Sequence, residues 1–436
     1  MTLLFAPKYE KYKDSGESWI GEIPNHWDIL RLKSLFREKK HKNNMALSCG
    51  AISFGEVVQK SDEIISDSTK RSYQEVLSGD FLINPLNLNY DLTSLRIALS
   101  KINVVVSAGY IVIKESAPIN KEYFKYLLHR YDVEFMKLLG SGVRQTISFN
   151  HISSSLLIYP PIEEQSSISK FLDLKCSQID QAIQIKERQI RGLKERKQIL
   201  IQQAVTRGLY PAAPMRDSGI EWIGEIPAHW SVMANRALFR ERVEPGREDL
   251  PLLSVSIHSG VSEEEISEEE NIRGRVKIED KTKYIRVRPG DIAFNMMRAW
   301  QGAIGAVRVE GMVSPAYTIA APRPSLDARY FEYQYRTPGF IQQMDRYSKG
   351  ITDFRKRLYW DGFKQLITLV PPIEEQRTIV EFIEQAMLKQ NAAVALLEQQ
   401  ITKLKEYKAT LINSAVTGKI KVPGVVEPHV QDMEVA

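Results

Sequence analysis

Cysteine is nearly absent from this sequence. Its 436 residues include only Cys49 and Cys176, which lie too far apart for a metal-binding motif and are too few for a disulfide framework. Such a composition is typical of a reducing compartment, and we expect a cytoplasmic protein.

Long apolar runs are absent as well. The sequence has no stretch of about 18 consecutive apolar residues, so we expect no transmembrane helix and no membrane partner. Residues 1–12 contain only a short apolar run followed by charges, which does not fit a secretory signal peptide.

Catalytic signatures are also missing. Neither a GxxxxGK[ST] phosphate loop nor an HExxH metal motif occurs. Residues 84–87 (NPLN) partly match the signature of amino-methyltransferases, but they lack its second proline and its aromatic residue. His26 and His229 each stand between a proline and a tryptophan, where packing is the simpler role. We therefore expect no catalytic residue, no metal site and no cofactor bound by this chain.

The charge balance permits a polyanionic partner without establishing one. Lysine and arginine exceed aspartate and glutamate by a net charge of +5, which is mildly basic. A chain of this length is expected to fold as more than one domain, since single hydrophobic cores rarely grow beyond about 250–300 residues.

A long helical segment occurs twice. The hexapeptide PPIEEQ stands at residues 160–165 and again at 371–376, and AVT closes each segment at 204–206 and 415–417. Between these ends, apolar residues recur at alternating steps of three and four, which predicts a coiled-coil seam. About 44 residues at 1.5 Å each would form a helix of about 65 Å.

We expect the two helices to pair through their seams in antiparallel orientation, because neither would be stable with its apolar stripe in water. Lys197 and Lys408 fall at matching seam positions, where a polar residue can fix the register. The residues that we assign to the coiled coil and to partner docking are Ile168, Leu172, Ile183, Ile190, Leu193 and Leu200 in the first helix, and Ile379, Ile383, Val394, Ile401, Leu404 and Leu411 in the second.

The repeat extends over nearly the whole chain. WIGEIP-x-HW occurs at residues 19–27 and 222–230, and matched Gly-Asp, Asn and Tyr-Phe-x-Tyr positions follow in both halves. Short β-type runs and amphipathic helices predict an α+β fold with a tandem pseudo-twofold duplication. The predicted order is globule 1–159, helix 160–208, linker 209–221, globule 222–370, helix 371–418 and a loose tail 419–436.

Basic and amide side chains recur at matched places in the two globules, several of them near glycine, which lets a backbone approach a ligand closely. Arg, Lys, Asn, Gln and Thr are the side chains that reach phosphates and base edges. An acidic run at 263–270 should point away from such a ligand. The candidate DNA-binding residues are Lys70, Arg71, Arg96, Lys101, Arg144, Gln145, Thr146, Arg273, Arg275, Lys277, Asn295, Arg298, Arg355, Lys356 and Arg357.

With these duplicated motifs in this order, the chain resembles the specificity subunit of Type I restriction–modification systems over essentially its full length. The resemblance implies two target-recognition domains, each reading half of a split, asymmetric site in double-stranded DNA. It also implies helices that dock two methyltransferase subunits, which restriction subunits with motor and nuclease activity then join. S-adenosylmethionine and ATP with magnesium would bind those partners, and this subunit would perform no chemistry itself.

Two other interpretations remain open from the sequence. The chain could be a scaffold whose duplicated coiled coil pairs proteins without DNA, or a self-contained restriction or modification enzyme. The sequence does not specify the DNA site or the spacer between its halves.

Overall fold

The computed structural model describes residues 6–86, 95–136, 147–262, 281–323, 326–350 and 355–427. The chain divides into two compact units. Unit 1 comprises Met1–Ile185 and Gln399–Ala436, and unit 2 comprises Lys186–Glu398. Each unit therefore contains one globule, part of the first long helix and part of the second. No helix in the described residues is long and apolar enough to cross a membrane.

The elements of unit 1 are mostly short. Its strands are β1 Tyr12–Asp14, β2 Glu22–Pro24, β3 Asp28–Arg31, β4 Phe36–Glu38, β5 Gly50–Ser53, β6 Glu56–Gln59, β7 Gln74–Val76, β8 Phe81–Ile83, β9 Ile97–Leu99, β10 Val104–Val106, β11 Ile111–Glu115 and β12 Leu156–Tyr159. Its helices are α1 Leu32–Leu35, α2 Asp67–Lys70, α3 Lys121–Glu134, α4 Phe149–Ile152 and the first half of α5 Ile162–Arg207.

A four-stranded antiparallel sheet in the order β4-β11-β8-β9 forms the centre of this globule. All three residues of β8 are buried, which requires cover on both faces of the sheet. Phe36 packs edge-to-face against Phe81 and Phe124 at centroid distances of 5.5 and 5.4 Å. This aromatic packing joins α3 to the sheet.

Unit 2 repeats the plan. Its strands are β13 Met215–Asp217, β14 Glu225–Pro227, β15 Ser231–Ala234, β16 Phe239–Glu241, β17 Ser254–Ser256, β18 Gly260–Ser262, β19 Ile285–Val287, β20 Ile292–Asn295, β21 Ile304–Ala306, β22 Gly311–Val313, β23 Tyr317–Pro322 and β24 Ile367–Val370. Its helices are the second half of α5, α6 Asn235–Leu238, α7 Ala328–Tyr335, α8 Pro338–Arg346, α9 Trp360–Phe363 and the first part of α10 Ile373–Val416.

The central sheet of unit 2 has the matching order β16-β23-β20-β21. Phe239 takes the part of Phe36 and packs on Phe331 at 5.5 Å. The break between α7 and α8 falls at Pro338, as the sequence predicts, because proline is accepted at a first helical turn but not in a helix interior. The α+β fold class is confirmed.

The long helices pack against each other inside each unit. In unit 1, Lys408 Nζ lies 2.7 Å from both carboxylate oxygens of Asp180. In unit 2, the side-chain amide of Gln390 donates to the carbonyl of Leu193. The start of one helix therefore runs beside the end of the other in each unit, which is antiparallel packing. Lys197, the counterpart of Lys408, is half-buried, and burial lowers its pKa.

The first repeated motif of each globule binds the start of a long helix. In unit 1, the buried carboxylate of Glu164 accepts from Trp27 Nε1 at 3.0 Å and lies 2.5 Å from His26 Nε2. In unit 2, His229 Nε2 lies 2.7 Å from Glu375. WIGEIP-x-HW and PPIEEQ thus recur together because they contact each other.

The glutamine of PPIEEQ closes the same junction. Gln165 donates to the carbonyl of Pro160 at 2.8 Å and accepts from the backbone N–H of Asn120 at 2.8 Å. Gln376 repeats both bonds with Pro371 and Asp327, each at 2.9 Å. One side chain therefore satisfies two backbone groups that burial would otherwise leave unpaired.

The end of each long helix docks on the globule that did not precede it. Tyr123 in α3 donates its hydroxyl proton to the carbonyl of Val416 at 2.9 Å, and Tyr330 in α7 donates to Val205 at 3.1 Å. Helix ends leave carbonyls without intrahelical partners, and both of these are buried. The AVT motif is consequently a docking element.

Two predictions about the connecting segments are wrong. Residues 419–427 are not loose, because Val422 is buried and the N–H of Lys421 donates to the carbonyl of Pro7 at 2.7 Å. The segment 209–221 is not only a linker, since it contains β13, which pairs with β14 in the globule that follows. Both segments are ordered by backbone hydrogen bonds, which the pattern of apolar residues in the sequence does not predict.

Gly418 provides a test of the docked helix end. Its φ is +71°, and a Cβ there would overlap the ring of Pro24 and lie 2.9 Å from Cη2 of Trp27. Gly21 has φ +78° with nothing within 4 Å of a Cβ. We expect Gly21→Ala to cost about 1–2 kcal/mol of unfolding free energy from backbone strain alone. Gly418→Ala should cost about 2 kcal/mol more because the interface must also open. Chemical denaturation measures both variants, and equal losses would contradict the docking.

Candidate nucleic-acid interface

Unit 2 brings together two groups of residues that the sequence presents separately. The N–H of Leu358 donates to the carbonyl of Met296 at 2.9 Å, which places the segment after Arg355 beside the turn that follows β20. Lys356 Nζ lies 5.2 Å from the centroid of the Trp300 indole, a cation–π distance. We call Asn295, Arg298, Trp300 and Lys356 the basic face of unit 2.

The charges on this face are not equally available. Arg298 is exposed, whereas Lys356 also forms an ion pair with Asp345 at 2.7 Å. Arg355 is exposed, and the Arg357 guanidinium donates to the carbonyl of Lys356 at 2.8 Å. Arg298 is therefore the residue of the face that we regard as most able to reach a phosphate.

The matched Asn and Gly-Asp positions shape turns. Asn295 Oδ1 accepts from the N–H of Met297 at 2.9 Å, and Asn84 Oδ1 accepts from Leu86 at 3.0 Å. Such turns are a common use of asparagine. Asp80 accepts from the N–H of Leu77 at 2.8 Å, three residues back, and so closes the turn that precedes β8. These motifs therefore form turns of the shared fold, and the side chains that differ between the two units lie beside them.

Arg96 was predicted to contact DNA, and this prediction is wrong. The side chain is buried, and its Nε donates to Asp132 Oδ1 at 2.9 Å. Asp132 Oδ2 also accepts from the Arg96 backbone N–H at 2.6 Å. A buried charge needs a partner, and this pair holds β9 on α3 rather than facing a ligand.

The other described candidates of unit 1 lie apart from one another. Lys70 ends α2 and pairs with Asp62 at 2.9 Å, a contact that raises the pKa of the lysine. Arg71 is exposed beside it. Lys101 lines a cavity that is described below. The sequence-predicted residues of unit 1 therefore do not form one face.

Several candidates lie outside the described residues and stay predictions. They are Arg144, Gln145 and Thr146 after α3, Arg273, Arg275 and Lys277 after β18, and the acidic run at 263–270.

The seam residues are turned inward. Ile168, Leu172, Ile183, Ile190, Ile379, Ile383, Ile401 and Leu411 are buried, and Leu193, Leu200, Val394 and Leu404 are half-buried. They hold the helices and globules together, so their assignment to partner docking needs correction. Other apolar positions of the long helices are exposed, among them Ile185 and Leu396, which are 49% and 55% exposed. These two occupy equivalent places in the repeat, a signal that the sequence did contain.

Comparison with known proteins shows what the chain is similar to. Residues 25–195 match the family model of the Type I restriction modification DNA specificity domain. A putative Type I restriction enzyme specificity subunit, MjaX of Methanocaldococcus jannaschii, is 22% identical over an alignment that covers 96% of this chain and 99% of that protein.

Solved structures share the fold. The HsdS subunit from Thermoanaerobacter tengcongensis matches with a TM-score of 0.52 and 16% identity, covering 91% of this chain and 98% of its own. A chain from a structural study of complex assembly and conformational transition of the Type I restriction–modification system matches with a TM-score of 0.61 and 15% identity, covering 90% and 98%. The chain is similar to specificity subunits of Type I restriction–modification systems over nearly its full length, which is the resemblance that its repeated motifs indicated.

Proposed function

We propose that this chain reads a split, asymmetric target in double-stranded DNA and directs methyltransferase and restriction subunits to it. The proposal rests on the observation that the two units share one backbone fold but differ in their exposed side chains. Both units keep the sheet order, the Asn turn and the helix junctions, and in unit 2 Trp300 and Lys356 lie beside that turn.

The proposed reading mechanism assigns phosphates and bases to different side chains. Arg298 and the exposed cations near it contact phosphates, which fixes the position of the duplex without specifying its sequence. Amide and hydroxyl side chains then discriminate base edges in the groove. Two unlike readers predict two unlike half-sites.

Catalysis belongs to the partners in this proposal. A docked methyltransferase subunit takes an adenine out of the DNA stack before it transfers the methyl group. S-adenosylmethionine would bind that subunit, and ATP with magnesium would bind the restriction subunits. The scaffold and the self-contained enzyme are not favoured, because the family model that matches is a DNA specificity domain.

Each unit would dock one methyltransferase subunit on its stretch of long helix. Ile185 ends the part of α5 in unit 1, and Leu396 lies in the part of α10 in unit 2. Exposed isoleucine and leucine on a helix cost little in the free chain and gain when a partner covers them.

Exchange of a globule tests modular reading. We expect that replacing residues 222–370 with those of another specificity subunit changes one half of the methylated site and leaves the other half as before. Mapping methyladenine across the genome of a host that carries the chimaera with its methyltransferase measures both halves. A change in both halves would refute independent reading.

Removal of one phosphate contact tests the basic face. Arg298→Ala should weaken duplex binding by about 1–3 kcal/mol and reduce the dependence of affinity on salt, because one fewer counterion is released. The control is Lys403→Ala, which removes a positive charge from α10. The Lys403 side chain is 78% exposed, and its removal should leave the affinity for the duplex unchanged. Fluorescence anisotropy across a salt series compares them. If the two variants bind equally, Arg298 is not part of the interface.

Charge placed on the exposed apolar positions tests docking. Ile185→Glu and Leu396→Glu should each leave one methyltransferase subunit per chain, and the double variant should leave none, because a buried unpaired carboxylate opposes association. Gln178→Glu, at an exposed polar position of α5, is the control. Light scattering after size-exclusion chromatography gives the stoichiometry. Two bound subunits in both single variants would exclude this surface.

A further inference from the structure

Unit 1 contains a cavity of about 690 Å³. It lies between the β5–β6 hairpin, helix α3 and the last turns of α10. Leu95, Leu99 and Val57 line its apolar part. Its charged lining has more cations than carboxylates and consists of Lys101, Lys125, Arg130, Lys408, Glu56 and Glu134. A volume of this size and a mixed lining are typical of pockets for small organic molecules.

At the equivalent place in unit 2, a buried carboxylate makes the contacts. Tyr123 and Tyr330 are matched by their bonds to the helix ends, so Lys125 corresponds to Glu332. Glu332 is 7% exposed and accepts from the N–H of Ala306 at 3.2 Å. Arg336 contacts the same carboxylate at 3.2 Å and donates to the carbonyl of His258 at 2.6 Å. This carboxylate therefore joins α7 to both the sheet and the β17–β18 hairpin.

Unit 1 has reversed the charge at this position and kept one of the two cations around it, since His129 stands where unit 2 has Arg336. Lys125 replaces the glutamate, and Lys101 stands where unit 2 has Arg308. Lys125 pairs with Glu122 at 2.7 Å and with Asp173 at 3.8 Å. Both carboxylates are largely exposed, at 40% and 48% of their side-chain surface, so neither takes the buried place of Glu332.

Three buried polar atoms of residues that line the cavity have no partner in the described part of the chain. They are His129 Nε2, Arg130 Nε and Asn413 Oδ1. These atoms are themselves enclosed by protein, so a molecule in the cavity would not reach them. Burial lowers the pKa of His129 to about 4, so the ring is neutral at neutral pH.

The hairpin tip at the rim of the cavity is strained. Phe54 has φ +47° and is 88% exposed. A left-handed phenylalanine costs about 1–2 kcal/mol of backbone energy. The neighbouring Gly55 has φ +78°, and a Cβ there would lie 2.7 Å from Leu95 Cδ1. The turn thus holds an aromatic ring at the mouth of the cavity at a cost in stability.

We propose that the cavity of unit 1 binds a small organic anion. Its carboxylate or phosphate takes the place that Glu332 fills in unit 2, against Lys125 and Lys101, and its planar apolar body lies against Leu95 and Leu99 beneath Phe54. This inference is independent of the reading of DNA.

The experiment uses the full chain and four small probes. Benzoate and phenyl phosphate carry the proposed charge on an aromatic ring, benzamide carries the ring without the charge, and inorganic phosphate carries the charge without the ring. Ligand-detected NMR and calorimetry give the dissociation constants. We expect at least one aromatic anion to bind below about 1 mM, and benzamide and inorganic phosphate to bind at least about tenfold more weakly. Whether benzoate or phenyl phosphate binds tighter identifies the acid group.

Variants locate the binding. Lys125→Glu places a carboxylate where unit 2 has Glu332. It should raise the dissociation constant of the aromatic anion at least about tenfold. Lys114→Glu, at an exposed position of β11, makes the same charge change and should bind as the parent does. Lys101→Ala is a second test in case Lys125→Glu lowers the melting temperature. This variant should also weaken binding of the aromatic anion. The proposal is overturned if neither aromatic anion binds at about 5 mM, or if Lys125→Glu and Lys101→Ala both bind like the parent.

Discussion

The fold depends on a buried hydrogen bond between a tyrosine hydroxyl and the last turn of a helix. Tyr123 makes it with the carbonyl of Val416, and Tyr330 makes it with Val205. Each bond contributes about 1 kcal/mol net, but an unpaired buried carbonyl would cost about 1–3 kcal/mol. Since each globule also binds the start of the helix that follows it, neither globule can form its junction from its own half of the sequence alone.

The two junctions are not equally strong. Glu164 is 4% exposed and is contacted by Tyr9 at 3.0 Å as well as by His26 and Trp27. In unit 2, His229 is 47% exposed, and Trp230 Nε1 has no acceptor among the described residues. Burial raises the pKa of Tyr9 and keeps its hydroxyl a donor. The two junctions therefore share their geometry, but the junction of unit 2 has fewer hydrogen bonds to its glutamate and is more exposed.

Internal repetition made the frame predictable. PPIEEQ and WIGEIP-x-HW stood out because they occur twice, and the structure shows that Glu164 and Trp27 touch. Periodicity likewise predicted both helices. Burial of single charged residues could not be predicted in this way, because nothing in the sequence near Arg96 shows that Asp132 will meet it from α3. Periodicity also identified the seam residues, but it did not show that they would be buried inside each unit and so be unavailable to a partner.

The return of the chain to its own beginning has a topological consequence. The N–H of Lys421 bonds the carbonyl of Pro7 at 2.7 Å, and the Glu427 carboxylate accepts from the N–H of Glu10 at 3.1 Å. Both ends of the described chain therefore lie side by side in unit 1, where a short connection could join them. A gene rearranged to join these termini and to open instead near Ala212 would encode the same contacts. The order in which the two halves are translated is thus not dictated by the architecture.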